Sequence, residues 1–125
     1  MGFDELLAIA RGALNPRRLS DLAEAGGVAA AVLSDSGAVY TGVCIDTACS
    51  MGFCAEHAAI AAMVTAGESR IMEIVAVGED GVVIPPCGRC REFIAQVHPD
   101  NRDAQVMVAA GVIVTVSDLL PHYWA

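Results

Sequence analysis

Hydrophobic positions recur along this chain with two periods, and the switches between them lay out a series of elements. Phe3, Leu6, Leu7, Ile9, Ala10 and Leu14 return every three or four residues, the spacing of one helical face, and Asn15-Pro16 stops the run. Val28 to Ser34 is a continuous apolar stretch of strand length. Asp35-Ser36-Gly37 then supplies a turn and Ala38 to Ile45 a returning strand, which predicts a hairpin. From Cys54 onward, Ala58, Ala59, Ala62, Met63 and Ala66 predict a closely packed helix that Gly67 closes. Ile71 to Gly78 predicts a third strand. After Pro85-Pro86, the segment Cys87 to Val97 reads as a further helix with Phe93, Ile94 and Val97 on one side, ended by His98-Pro99. Gln105 to Ala109 and Val112 to Val116 are short strands, and Ser117-Asp118 reads as the cap of a last helical turn.

A hairpin followed by alternating helices and strands predicts an α/β sandwich, in which the helices that start near Cys54 and Cys87 can share one face of the sheet. The 125 residues, 55% of them apolar, supply the core of one domain, expected to span 1–125. The apolar run from Val106 to Val116 is broken by Gly111 and falls short of the roughly 18 to 20 residues of a bilayer span. Met1-Gly2-Phe3-Asp4-Glu5 lacks the basic flank of a secretion signal, so the expectation is a soluble cytoplasmic protein without a membrane partner.

Charge narrows the chemistry. A formal net charge of −8 argues against a nucleic-acid groove, because phosphate binding depends on clustered basic residues. The seven basic residues are all Arg and are scattered, so a small-molecule substrate is expected and no nucleic-acid partner. With no lysine in the chain, a Schiff-base lysine and a phosphate-loop lysine are both excluded. Five cysteines, an odd number, with a Cys-x-x-Cys at a helix start favour thiolate chemistry in a reducing compartment over disulfides.

Those thiols fall into two segments, Cys54-Ala55-Glu56-His57 and Pro86-Cys87-Gly88-Arg89-Cys90-Arg91. Cys87 and Cys90 are three apart, which brings both sulfurs to one side of a helix start, toward Cys54 at another. Three thiolates and one carboxylate are the inventory for a zinc-activated water with a proton shuttle beside it, so the chain reads as a hydrolytic enzyme with Zn²⁺ as cofactor. A trio of core cysteines packed as small hydrophobes is the alternative, but it leaves Pro86, Gly88 and Glu56 unexplained. Glu56 in a first helical turn can also serve the helix dipole alone. Three thiolates on a divalent ion leave a net charge of about −1, which helix N-termini can offset and to which His57 and Arg91 can donate hydrogen bonds from the second shell. His57 as an ordinary helix residue remains an open alternative.

The Cys-x-Glu segment followed by Pro-Cys-x-x-Cys is the signature of zinc deaminases in its three-cysteine form. On these residues the chain resembles the cytidine deaminase family, and its blasticidin S deaminase relatives in particular, from the Ala-rich segment near Val28 to Leu119-Leu120-Pro121. The resemblance implies a three-layer α/β/α sandwich with a mixed five-stranded sheet, and a homotetramer with active sites near subunit boundaries. It implies Cys54, Cys87 and Cys90 as zinc ligands and Glu56 as the catalytic group. Glu56 would carry the proton of an attacking water to the pyrimidine N3 and then to the departing amine. Substrate contacts are implied at Cys44, Asp46, Ala55 and Trp124. The chain departs from the family pattern at several places. Cys44-Ile45-Asp46 stands where the family has Asn-x-Glu for the ribose, and Gly26-Gly27 replace an aromatic before the first strand. His57 stands where an Arg is usual, and the Asp46–Cys54 loop is one residue short.

The expected reaction is hydrolytic deamination of a free cytosine nucleoside, cytidine or deoxycytidine or an antibiotic such as blasticidin S. Deamination of another base or modified nucleoside is an alternative. From a different class, a binding module with a structural zinc closed by Cys44 or Cys49 would be a second, which Glu56 argues against. Trp124 is the candidate to lie over the pyrimidine, with a surface or interface role as the other reading. No role is assigned to Cys49 beyond packing or a free thiol.

Overall fold

The computed structural model describes all of residues 1–125. The chain folds as α1 (Phe3–Ala13), β1 (Arg17–Ser20), β2 (Ala23–Ser34), β3 (Val39–Thr47), α2 (Ala55–Thr65), β4 (Ile71–Val77), β5 (Val83–Ile84), α3 (Gly88–Val97), β6 (Gln105–Ala109) and β7 (Val112–Thr115). Short 3-10 turns lie at Glu79–Gly81, Pro99–Asp103 and Ser117–Leu119. No helix is long and apolar enough to cross a membrane.

The sheet is mixed, as expected, but it has seven strands rather than five. Its lateral path runs β3-β2-β4-β6-β7, with β4 and β6 parallel and the other pairs antiparallel. The two additional strands are short and occupy lanes already in use. β1 pairs with the start of β2 on the edge that β4 takes further along, and β5 pairs with Ala76 and Val77 of β4 beyond the end of β6.

Alternation along the strands sorts side chains into two cores. Ala30 and Val32 of β2, Ile74 and Ala76 of β4 and Val106 of β6 face α2 and α3, where they meet Ala59, Ile60, Met63, Ile94 and Ala95. The intervening Ala29, Ala31, Leu33, Val75, Val77 and Met107 face α1 and pack on Leu6 and Ala10. The result is three layers, with the two thiol-bearing helices together on one face. Asn101, fully buried, fastens that face at one end. Its Oδ1 accepts from the Ile71 N–H at 2.7 Å, and its Nδ2 donates to the carbonyls of Ser69 and Ile94 at 3.0 Å each.

The close packing expected of α2 has a specific partner. A methyl group at Gly42 of β3 would lie 2.3 Å from the Ala59 backbone nitrogen and 2.6 Å from the Ala58 Cβ, so α2 rests directly on the strand backbone. Tyr40, Gly42, Cys44 and Asp46 share that face by the two-residue period, and the last two run out from under the helix toward its N-terminus. The expected cap at Ser117-Asp118 is arranged differently. The Ser117 hydroxyl donates to the Arg102 carbonyl at 2.9 Å, while Asp118 Oδ2 reaches back to the Thr115 N–H at 2.9 Å, because Val116 occupies the position before the turn.

Candidate active site

Both helices carry a cysteine at the residue before their first turn, Cys54 for α2 and Cys87 for α3, each with extended backbone and no side-chain cap. The uncapped N–H groups there leave partial positive charge beside the sulfurs. Cys54 is held by a short antiparallel bridge. The Ile45 N–H donates to the Phe53 carbonyl at 3.1 Å and the Phe53 N–H returns to the Ile45 carbonyl at 2.9 Å. That bridge requires Gly52, where a Cβ would lie 1.9 Å from the Ile45 oxygen.

The sulfurs of Cys54 and Cys87 are 3.6 Å apart, and those of Cys87 and Cys90 are 3.5 Å apart. Zinc–sulfur bonds of about 2.3 Å in a tetrahedron give sulfur–sulfur edges of about 3.8 Å, so the cluster has the size of a zinc site. His57 Nδ1 lies 3.3 Å from Cys90 Sγ, and the donor atoms of Cys54, His57 and Cys90 all fall within 4.8 Å of one another. Two donor trios thus share Cys54 and Cys90, one completed by Cys87 and the other by His57. The remaining thiols are engaged elsewhere: Cys44 Sγ accepts the Val28 N–H at 3.2 Å, and Cys49 lies 3.7 Å from the Thr47 hydroxyl. Neither closes the cluster as a fourth thiol.

Glu56 is 4% exposed, and burial raises its carboxyl above the ordinary value. Burial also raises the Cys54 and Cys90 thiols, the latter further by the charge of Glu56. Burial acts in the same sense on Cys87, but hydrogen bonds from the Cys90 backbone and thiol outweigh it and the net direction is down. His57 is shifted down by burial and then by the charge of Arg89.

A cavity of about 350 Å³ opens beside the sulfurs, walled by Val28, Cys44, Asp46, Phe53, Ala55, Glu56, Ile84, Cys87 and Arg89. Cys44, Asp46 and Ala55, the residues expected to meet substrate, are all on this wall. Trp124 does not line this chain's own cavity. It is 76% exposed, and its Nε1–H donates to Glu92 Oε1 of α3 at 2.9 Å, beside a Tyr123 hydroxyl bonded to the same carboxylate. The aromatic that does line it is Phe53, which sequence reasoning passed over although it adjoins Cys54. Arg89 was passed over too.

Arg91 is a correction. It does not reach a sulfur: its Nε donates to the Pro86 carbonyl at 2.9 Å and its Nη1 to the Leu119 carbonyl at 3.4 Å. One residue further along α3 rotates a side chain by about 100°, away from the direction of Cys90. It steadies the backbone next to Cys87 instead.

The profile described as "Cytidine and deoxycytidylate deaminase zinc-binding region" matches residues 7–108, which include both thiol segments. This chain belongs to that deaminase family. The family's cytidine deaminase from Halalkalibacterium halodurans is 35% identical over 98 residues, 75% of this chain and 74% of that protein. The cytidine deaminase crystal structure from Mycobacterium tuberculosis superposes with a TM-score of 0.83 at 26% identity, covering 100% of this chain and 98% of that one. The Burkholderia pseudomallei cytidine deaminase gives 0.81 at 26%, covering 99% and 100%. The chain is accordingly a zinc-dependent deaminase with the α/β fold of these enzymes, and the thiol and imidazole donors fit Zn²⁺.

Proposed function

We propose that this deaminase acts on a free cytosine nucleoside, cytidine or deoxycytidine, at a zinc ion held by Cys54, Cys87 and Cys90. The observation that carries this reading is the buried Glu56 carboxyl at the wall of the same cavity that the sulfurs border. Relatives named as cytidine deaminases support the substrate class, and a cavity of about 350 Å³ suits a small molecule. Zinc, when bound, supplies Lewis acidity that makes a water nucleophilic near neutral pH.

Glu56 takes one proton from the attacking water and passes it to the pyrimidine N3. The water oxygen forms a bond to C4. Glu56 then moves the second proton to the exocyclic amine, the C4–N bond breaks, and ammonia leaves with the uracil nucleoside as product. A carboxyl whose pKa is raised by burial is suited to both transfers. Ala55 and Phe53 wall the base, and Asp46 offers an acceptor for a sugar hydroxyl. Cys44 offers no free acceptor of comparable strength, since its sulfur already receives the Val28 N–H.

The protein works as a homo-oligomer, a tetramer by family resemblance. The exposed Leu19, Leu22, Met51 and Trp124 support this, as apolar surface for a second copy to cover. In that assembly Trp124 reaches a neighbouring subunit's cavity. Five unpaired thiols suit a reducing, cytoplasmic compartment.

The test combines metal analysis with an ammonia-release screen over cytidine, deoxycytidine, cytosine, blasticidin S, adenosine and guanine. About one zinc per chain and turnover confined to cytosine nucleosides are expected. Glu56→Gln should keep zinc and fold but lose at least about 10² to 10⁴ in turnover. Wild-type-like turnover in that variant would assign the proton to another group, and release of ammonia from guanine or adenosine alone would overturn the substrate class.

A further inference from the structure

Cys87 and Cys90 have a second chemistry open to them besides holding a metal. Their sulfurs are 3.5 Å apart and differ in access: Cys87 is exposed where α3 begins, and Cys90, three residues on, is fully buried. An exposed thiol ahead of a buried one across a first helical turn suits stepwise oxidation. The outer sulfur meets an external disulfide, and the inner one displaces the adduct.

The geometry also selects this pair over its rivals. Residues three apart across a helical turn have Cα atoms about 5 Å apart, inside the range of about 4.4 to 6.8 Å that a disulfide needs. The backbone around Cys87 is held, since Arg91 donates from Nε to the Pro86 carbonyl at 2.9 Å and from its backbone N–H to the Cys87 carbonyl at 3.0 Å. Closure to an S–S bond of about 2.0 Å therefore falls to rotation of the two side chains. Space beside the turn is open, as a Cβ on Gly88 would meet nothing within 4 Å. Cys54 Sγ is 3.6 Å from Cys87 Sγ, but it belongs to the other helix, and joining the two would draw α3 toward an α2 already seated on β3 at Gly42. Cys44 is taken by the Val28 N–H, and Cys49, though exposed, has the Thr47 hydroxyl beside it rather than a thiol.

We propose that Cys87 and Cys90 form a reversible disulfide in place of the metal, which makes the site a redox switch whose oxidant is a small-molecule disulfide. The Cys87 sulfur gives up its proton and bonds to one sulfur of the oxidant; the oxidant's S–S bond breaks, and its other half leaves as a thiol with that proton. The Cys90 sulfur then bonds to Cys87 Sγ, the mixed disulfide breaks, and the second half leaves as a thiol with the Cys90 proton. The protein dithiol is oxidised and one oxidant disulfide is reduced to two thiols. Zinc takes cysteine as thiolate, so the disulfide and the ion exclude each other. The proposal rests on the reading that both cysteines are zinc ligands.

The experiment incubates full-length, zinc-loaded protein with glutathione disulfide at a series of buffered free-zinc concentrations. Quenched samples are alkylated and mapped by mass spectrometry, and zinc is measured after desalting. Zinc should be lost and a Cys87–Cys90 disulfide gained in equal amounts, with two reduced glutathiones released per disulfide. Each tenfold rise in free zinc above its dissociation constant should slow the reaction about tenfold, because only the metal-free fraction reacts. Dithiothreitol followed by zinc should restore the metal content. Cys90→Ser should leave glutathione attached to Cys87, and Cys49→Ser, which removes the other exposed thiol, should leave the rate unchanged. If Cys90→Ser does not fold, peptide mapping of wild type identifies the pair by itself.

Cys87 and Cys90 that stay reduced at every zinc concentration would overturn the proposal and leave the ligand reading intact. Glutathione that remains on Cys87 in wild type, or a Cys54–Cys87 bond, would overturn it too. A Cys87–Cys90 disulfide that forms with zinc still bound would overturn the ligand assignment as well, so the two failures are distinguishable.

Discussion

Gly42→Ala should damage both stability and catalysis, although residue 42 is not among the groups that wall the cavity. The added methyl group would stand 2.3 Å from the Ala59 nitrogen and 2.7 Å from the Ala58 carbonyl carbon, both backbone atoms of α2. Ordinary contact lies near 3.5 to 4.0 Å, so helix and strand must part by about 1 Å. Overpacking of this kind costs about 1 to 3 kcal/mol, against a gain of about 0.4 to 1 kcal/mol from stiffening the unfolded chain. The net loss of about 1 to 2 kcal/mol corresponds to a fall in Tm of roughly 3 to 12 °C for a domain of this size. α2 carries Cys54 and Glu56 while α3 carries Cys87 and Cys90, so the same shift misaligns the two halves of the site. A misplacement of 1 Å can cost about 10² in rate. Gly12→Ala is the control: it lies in α1 with nothing within 4 Å of the added methyl, and should be stabilising by about 0.5 to 1 kcal/mol. Thermal unfolding and kcat on zinc-saturated protein decide the matter. If Gly42→Ala melts and turns over like wild type, α2 is not seated on the strand backbone and the argument fails.

Glu68 accepts from Ser36, Tyr40 and Ser34, and these bonds hold its carboxyl below the usual range. A lowered folded value gives stability that is present above the unfolded pKa of about 4.3 and is lost as pH falls through the folded value. Glu68→Gln should thus lower Tm at neutral pH and flatten its decline below about pH 4; an unchanged acid profile would show that the network adds nothing. Removing Trp124 and Ala125 should lower kcat/KM by about 5- to 150-fold, or weaken assembly, with zinc content unchanged. Unaltered kinetics and assembly would reduce the indole to a tail contact on Glu92.

Much of this molecule was legible because its chemistry and its periodicities coincide. The 28–34 stretch, the helix after Cys54 and the helix after Pro86 each carry strong local signals, and the two-core sandwich follows from their order. β1 and β5 were not legible. All four residues of Arg17–Ser20 are exposed, so no alternation marks them, and Val83–Ile84 is too short to show a period. The early start of β2 was hidden by its bulge between Ala25 and Ala29, which Gly26-Gly27 disguise as a turn. At the site, the sulfurs of Cys54, Cys87 and Cys90 cluster, and Glu56 lines the cavity beside them. Arg91 went astray because adjacency in sequence is a 100° turn on a helix, and Phe53 was missed because nothing in a single aromatic reports which way a loop turns it.

Three glycines show what places the cavity groups. Gly26, at φ 84°, lets Asn15 approach β2, where a Cβ would lie 1.9 Å from the Asn15 oxygen. The bulge it belongs to leaves the Val28 N–H unpaired in the sheet and free to meet Cys44 Sγ. Gly42 seats α2, and Gly52 seats the loop that carries Phe53 and Cys54 against Ile45. Each is a contact of backbone on backbone, so the positions of Cys44, Cys54 and Glu56 are set before any side chain is chosen. Cys44 is held on this frame: its sulfur is satisfied by the Val28 N–H, and Asp46, two residues further on the same face of β3, and Arg89 are the charged groups on the cavity wall besides Glu56.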